Sequence, residues 1–303
     1  MIEIKNVSKG FEECGRIQAL HCLSLKINEG EIFGLVGTNG SGKSTLLRMI
    51  AGILKPDKGE VTVDGAGVFE NPEIKSKVCF LSDSGYTYPN ASASDMAGVY
   101  KMYYPGFDMD RFTGMINKIG LDPRRKLRTF SKGMKKQVLV LLGICTNTKY
   151  LLCDETFDGL DPVMRQTVKS LFATEMLDRT FTPVIASHSL RELEDICDNI
   201  GILHNGSVVL SESLTDLKLG VLKFQCVFDD ENKERELLRG VNVLKSEKRG
   251  TMMTVVVKGE KKDISEKIES LKPVYYEMMP LSLEEIFIDE MGVNGYDFKN
   301  LYS

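Results

Sequence analysis

The sequence predicts an α/β fold: a phosphate-loop core with an antiparallel β subdomain, a mainly helical insertion and a small C-terminal α/β domain. Three observations carry that prediction. The run Gly37-Thr38-Asn39-Gly40-Ser41-Gly42-Lys43-Ser44-Thr45 fits the phosphate-loop pattern G-x-x-x-x-G-K-[ST] at every fixed position. Around it lie an apolar run at 31–36 and helical spacing at 43–51 ended by Gly52, the strand–loop–helix order that the motif requires. Beyond about residue 215, strand and helix patterns alternate as βαββαβ.

With 303 residues the chain has room for roughly two domains, and its 42% hydrophobic and 27% charged residues are ordinary for a globular protein. A net charge of −4 provides no basic footprint for nucleic acid, which is not expected as a partner. The seven cysteines, at 14, 22, 79, 145, 153, 197 and 226, form no C-x-x-C pair, and several lie in apolar runs. They read as reduced core residues of a cytosolic protein. Met1-Ile2-Glu3-Ile4-Lys5 lacks the basic and apolar regions of a signal peptide, so none is expected, and the longest apolar run, at 138–145, is too short to span a bilayer.

Taken in order, residues 2–7 and 20–27 alternate apolar with polar, predicting two antiparallel strands joined by a connection that contains Phe11. An aromatic there could stack on a nucleotide base or simply pack. In the phosphate loop, glycines 37, 40 and 42 let backbone N–H groups turn toward a polyphosphate at the positive end of the following helix. Lys43 is expected to hold outer phosphates and Ser44 to ligate Mg²⁺. A turn at 56–59, a strand at 60–63 and an apolar strand at 78–82 ending at Asp83 follow. From about 85 to 130, tyrosines, prolines and helical spacing mark the insertion.

The stretch Phe130-Ser131-Lys132-Gly133-Met134 then opens an apolar helix with Ser131 as N-cap, a second anion site that one bound triphosphate would not need. The buried strand Tyr150-Leu151-Leu152-Cys153-Asp154-Glu155 delivers two acids at its end. Downstream of a phosphate loop, the first is expected to hold Mg²⁺ and the second to orient or deprotonate water. Asp161 caps a helix that begins at Pro162, and an apolar strand at 183–187 ends at His188, which could donate to a γ-phosphate. Asn205-Gly206 marks a hairpin.

The ordered set GTNGSGKST, FSKGM, LLCDE, GLD and SH resembles the ATP-binding cassette family, the motor subunits of ABC transporters, over residues 1 to about 215. The resemblance implies a phosphate-loop ATPase core, with ATP and Mg²⁺ as ligands. It makes Phe11 the base-stacking aromatic, residues Gly37, Thr38, Asn39, Gly40, Ser41, Gly42, Lys43, Ser44 and Thr45 the Walker A loop, and Ser131, Lys132, Gly133 and Met134 the signature. Asp154 becomes the Walker B acid beside Ser44 and Asp83 at the metal, Glu155 the general base, Asp161 the D-loop acid and His188 the switch histidine. In this family two cassettes dimerise head to tail, the signature of one closing on the nucleotide of the other; the pair is a homodimer or a heterodimer. A transmembrane permease is the implied partner, with the chain cytoplasmic and peripheral on the inner face of the membrane.

This sequence departs from the family pattern at Asp83, where Gln or Glu is usual, and at Thr156, where Pro is usual. The S-K-G-M form of the signature resembles exporter-type bacterial cassettes, associated with lipids, peptides or antibiotics. A soluble ATPase of the same family, with a regulatory role, is the competing reading; single-cassette length and the lack of sustained heptads disfavour it. The expected domains are 1–215, including the helical subdomain at about 85–130, and an accessory domain at 216–303. Within the accessory domain Ser282 is expected to start a final helix, in a run resembling the close of exporter-type cassettes. Finally, Arg124, Arg125, Lys126, Arg128, Lys132, Lys135 and Lys136 form a basic cluster that reads as a solvated face, with nucleotide attraction or an anionic docking surface as alternatives.

Overall fold

A computed structural model describes residues 1–12, 17–83, 88, 90–218 and 220–285. The chain divides into two compact units, Met1–Glu212 and Ser213–Ser303. In the first, β1 (Ile2–Phe11) and β2 (Ile17–Ile27) precede β3 (Phe33–Val36), α1 (Lys43–Ile50), β4 (Lys58–Val63), β5 (Ala66–Gly67), α2 (Pro72–Lys75) and β6 (Val78–Leu81). Then come α3 (Ala93–Tyr103), α4 (Met109–Lys118), α5 (Lys132–Cys145), β7 (Tyr150–Asp154), α6 (Pro162–Asp178), β8 (Thr182–Ser187), α7 (Leu190–Glu194), β9 (Asn199–His204) and β10 (Ser207–Ser213).

Strands β2-β1-β4-β5 make an antiparallel sheet, and β10-β9-β3-β8-β7-β6 make the central one. Within the central sheet β9, β3, β8, β7 and β6 are parallel, so their carboxyl ends share one edge. That edge is where ligands bind in open α/β sheets. Every residue of β3, β7 and β8 is buried, as expected of strands covered on both faces. One core joins the two sheets through Ile4, Leu25, Phe33, Leu47, Leu152 and Val184.

The strand at the N-terminus is longer than its alternation predicts. The alternation expected over 2–7 holds only for residues 2–5, and β1 continues to Phe11 through register shifts between Ile4 and Val7, Val7 and Lys9, and Lys9 and Gly10. Each shift breaks the inside–outside alternation that marks a strand in sequence. Phe11 therefore ends β1 and does not lie in a connection. Among the described residues, the insertion is helical as expected: α3 begins in a Ser92/Asp95 capping box, and α3 and α4 bury Ala93, Met96, Phe112 and Ile116 against Leu141 and Leu142 of α5. Its first residues, 84–87, and 89 lie outside the described residues.

The second unit contains α8 (Leu214–Lys218), β11 (Val221–Val227), α9 (Glu231–Gly240), β12 (Asn242–Arg249), β13 (Met252–Lys258), α10 (Lys261–Ser270) and β14 (Tyr275–Met279). Its four strands pair in the order β12-β13-β11-β14, all antiparallel, which is the ferredoxin-like arrangement of a βαββαβ chain. Phe224, Cys226, Val255 and Val257 pack with Leu237, Ile264 and Ile268 of the helices. Ser282 accepts a hydrogen bond from the N–H of Glu285 at 3.3 Å, as an N-cap does; the helix expected after it lies outside the described residues beyond Glu285.

Not all cysteines are core: Cys22 is exposed on a strand with a register shift, while Cys79, Cys145, Cys153, Cys197 and Cys226 are buried and Cys14 lies outside the described residues. Helix α6 is held under the central sheet by edge-to-face contacts of Phe172 with Phe157 and Phe181, at 6.1 and 5.5 Å between centroids. All three rings are fully buried. Replacing Phe172 by Ala removes a ring that nothing can refill, and should cost about 3–5 kcal/mol, read as a lowered denaturation midpoint in urea.

Candidate functional site

The cleft is built where β3 ends. Val36 hands the chain to residues 37–42, which wrap back and enter α1 at Lys43. Gly42 sits at φ +105, and a Cβ there would come within 2.6 Å of the Ala19 carbonyl oxygen, so both its conformation and its neighbour demand glycine. Gly37 is needed for space alone, since a Cβ would lie 2.4 Å from Ser41 Oγ. The first turn of α1 carries no acidic residue, leaving its N–H groups and positive end facing the cleft. A volume of about 310 Å³ is lined by Phe11, Ile17, Ala19, Asn39, Gly40, Ser41, Gly42, Lys43, Ser44, Thr45 and Glu155. Phe11 is 36% exposed at its mouth, with Lys9 Nζ 5.8 Å from its ring centre.

Two further strands bring acids to this loop. Ser44 Oγ donates to Asp154 Oδ1 at 2.9 Å, joining the start of α1 to the end of β7. Glu155 follows at φ +48, its N–H bonded to Ala186 O of β8 at 3.0 Å. Its Oε1 lies 3.8 Å from Lys43 Nζ and 3.9 Å from His188 Nδ1, just past β8. Lys43 Nζ also donates to the carbonyls of Gly37 at 2.6 Å and Thr38 at 3.1 Å. Residues from the ends of three parallel strands thus converge on one point.

Burial gives these charges their character. It holds the Lys43 ammonium below its ordinary range, against the pull of Glu155 and Asp154. It pushes the Asp154 carboxyl up, opposed by the Ser44 hydrogen bond and reinforced by the adjacent Glu155. A buried cation and carboxylates held this way are suited to phosphate oxygens and a divalent metal, which would stabilise the charged forms. Two observations test the fit. Ser41 Oγ is buried without a hydrogen-bond partner among the described residues, inside the loop that would cradle phosphate. Ser44 and Asp154 present hard oxygens 2.9 Å apart, the sparse protein donor set typical of Mg²⁺ bound through phosphates and water. The residues fit both groups.

The remaining predicted residues lie elsewhere. Ser131, Lys132, Gly133 and Met134 do not line this cleft: Ser131 Oγ caps α5 by accepting from Met134 N at 3.2 Å. Asp161 caps α6, accepting from Met164 N at 2.9 Å. Asp83 also stands outside the cleft lining, with Oδ1 3.7 Å from Lys136 Nζ.

Lys136 corrects the reading of the basic cluster as one solvated face. Arg124, Arg125, Lys126, Arg128 and Lys132 are exposed, but Lys136 is buried. Its signal in the sequence is its place three and four residues before Leu139 and Val140, on the apolar side of α5, which the charge run conceals. Ile17 and Ala19 were also missed, because β2 reaches the cleft only through the folded chain, as was Asp158, which stands 3.9 Å from Lys136 Nζ.

This arrangement of loop, lysine, serine and strand-end acids defines a phosphate-loop nucleoside triphosphatase. Comparison narrows the class. A family profile described as "ABC transporter" matches residues 20–158. The ABC transporter ATP-binding protein YtrB of Bacillus subtilis is 32% identical over 292 residues, covering 96% of this chain and 98% of YtrB. The linearmycin resistance ATP-binding protein LnrL of the same organism is 32% identical over 227 residues, covering 72% of this chain and 70% of LnrL. Among solved structures, the dimeric ATP-binding cassette MJ0796 bound to ADP and Pi matches with a TM-score of 0.63 at 24% identity, over 71% of this chain and 99% of that one, a likeness of fold. The chain belongs to the family of ABC transporter ATP-binding proteins: it is an ATP-binding cassette ATPase.

The raised carboxyl of Asp154 makes a pH prediction. The folded chain takes up this proton at higher pH than the unfolded chain, so between the ordinary value of 3.8 and the raised one it holds more protons, and stability falls as pH rises through that window. Without nucleotide, Asp154→Asn should therefore melt higher than the unchanged protein at pH 7, with the gain shrinking toward pH 4, while its affinity for ATP with Mg²⁺ falls at least tenfold. Thermal melts across pH check the first and nucleotide titration the second.

Proposed function

We propose that this chain is the ATP-hydrolysing subunit that powers a separate transmembrane permease, and that it acts as a pair of cassettes, either two copies or this chain with a sister. The observation that carries the reading is the convergence of Lys43, the Ser44–Asp154 pair, Glu155 and His188 on one cleft. Phe11 stacks on the base at the cleft mouth. The loop from Gly37 to Thr45 holds the phosphates through its N–H groups and Lys43, and Ser44 and Asp154 hold Mg²⁺. When bound, Mg²⁺ supplies charge neutralisation on the outer phosphate oxygens.

Glu155 orients the attacking water and accepts its proton, and His188 supports the γ-phosphate. Among the described residues, the capped helix starts at Ser131 and Asp161 do not line the chain's own cleft. This supports their facing the nucleotide of a second cassette, with Ser131, Lys132, Gly133 and Met134 as its signature and Asp161 beside them. Thr156 leaves these groups in place.

No helix among the described residues is long and apolar enough to cross a membrane, so transport in this reading needs a spanning partner on whose inner face the chain sits. The S-K-G-M signature and the likeness to LnrL favour an exporter of lipid, peptide or antibiotic. The nucleotide-binding domain is taken as 1–215 and the accessory domain as 216–303.

Glu155→Gln tests the reading. Turnover should fall by about 10²–10⁴, the usual contribution of a general base, while ATP binding persists. Light scattering should then find dimers that form only with ATP. Unchanged turnover in a variant that stays monomeric with ATP would reject it.

A further inference from the structure

We infer that Lys136 is a positioning residue that holds Glu155 in its working orientation, with Asp83 and Asp158 as its counter-charges. The inference deepens the ATPase reading of the cleft and rests on it. The Lys136 side chain is 5% exposed, a position in which an uncompensated ammonium would be strongly unfavourable. Three oxygens compensate it. Its Nζ donates to the main-chain carbonyl of Glu155 at 2.6 Å and lies 3.7 Å from Asp83 Oδ1 and 3.9 Å from Asp158 Oδ2. Only the carbonyl is within hydrogen-bonding distance; the two carboxylates, farther off, balance the charge.

The bond to Glu155 matters because of that residue's backbone. At φ +48 it occupies the left-handed region, which a residue with a side chain adopts only when its surroundings impose it. Both flanking peptide groups are held: the N–H by Ala186 O at 3.0 Å and the carbonyl by Lys136. Together they set the direction in which the carboxylate leaves the strand, toward Lys43 and His188. Among the described residues Lys136 is not one that lines the cleft, and its hydrogen bond reaches the cleft through the main chain of Glu155.

Asp83 takes a different role here from the metal role its place in the sequence suggests. Its side chain is 56% exposed at the end of β6 and ion-pairs with Lys136, so it balances the buried ammonium. The unusual acid at 83 and the buried cation at 136 are two halves of one device. Because α5 begins at the Ser131 cap, the lysine also ties that helix start to the glutamate over the chain's own cleft.

The test is a double-mutant cycle on the full chain: Lys136→Gln, Asp83→Gln and the pair, each measured for kcat, KM for ATP, half-saturating Mg²⁺, binding of a fluorescent ATP analogue and melting temperature. A displaced glutamate should lower kcat by roughly tenfold or more in Lys136→Gln, with KM and analogue binding within about twofold. Asp83→Gln should lose about threefold to tenfold with half-saturating Mg²⁺ unchanged, and the double variant, a neutral amide pair, should lose no more than the worse single variant. Unchanged kcat in Lys136→Gln, losses that multiply in the double, or a tenfold rise in half-saturating Mg²⁺ for Asp83→Gln would overturn the inference. Should Lys136→Gln fail to fold, Asp83→Asn, at a half-exposed site, decides alone: unchanged kcat rejects the role and a fall at constant KM supports it. If the unmodified chain binds no nucleotide, the ATPase reading itself falls; if it binds and Lys136→Gln turns over normally, only the present inference does.

Discussion

Holding Lys43, Asp154 and Glu155 together at the ends of fully buried central strands is the constraint from which the rest of the first unit follows. Charges are rarely taken so far from water without a purpose, and here burial moves the lysine down and Asp154 up, against the attraction between them. Such a group is stable only if the elements beneath it cannot shift. β3, β7 and β8 provide that rigidity: they are parallel, adjacent and buried throughout, so their ends cannot move relative to one another without breaking the ladder.

The surrounding elements read as supports for that edge. The antiparallel sheet brings β2 against the phosphate loop so closely that only glycine fits at 42, and carries Phe11 to the cleft mouth at the end of a bulged strand. Helix α6 starts at its cap, Asp161, and is anchored by the ring contacts of Phe172 with Phe157 and Phe181. The helical insertion has a core of its own, and α5 links it to the strand ends, its start capped by Ser131 and its buried face carrying Lys136 to Glu155. One helix thus carries both a capped start and a contact to the main chain of Glu155.

The second unit follows different rules. Its antiparallel ladder has one face under two helices and sets charged residues such as Lys245, Glu247 and Lys248 on an edge strand, a common protection against unwanted pairing. Sheet order and connectivity place it among ferredoxin-like folds, which host many activities, so the fold alone assigns it none.

Local sequence was enough for much of this protein. Glycine spacing, a buried strand on one side and helical spacing on the other specify a phosphate loop, because those properties depend only on neighbours in the chain. The same holds for the caps at Ser131 and Asp161, the acids closing β7 and the βαββαβ tail, each a matter of period and turn chemistry. What required the folded chain were relations between distant residues. The continuation of β1 to Phe11 was hidden because bulges erase alternation while cross-strand pairing keeps the strand in the sheet. The burial of Lys136 was hidden because a lysine beside other cations looks solvated until Asp83, Asp158 and the Glu155 carbonyl, from two other segments, are brought around it. Sequence thus determined which groups could do the chemistry, through local pattern; tertiary structure alone decided which of them meet, since contact and burial are properties of the packed chain.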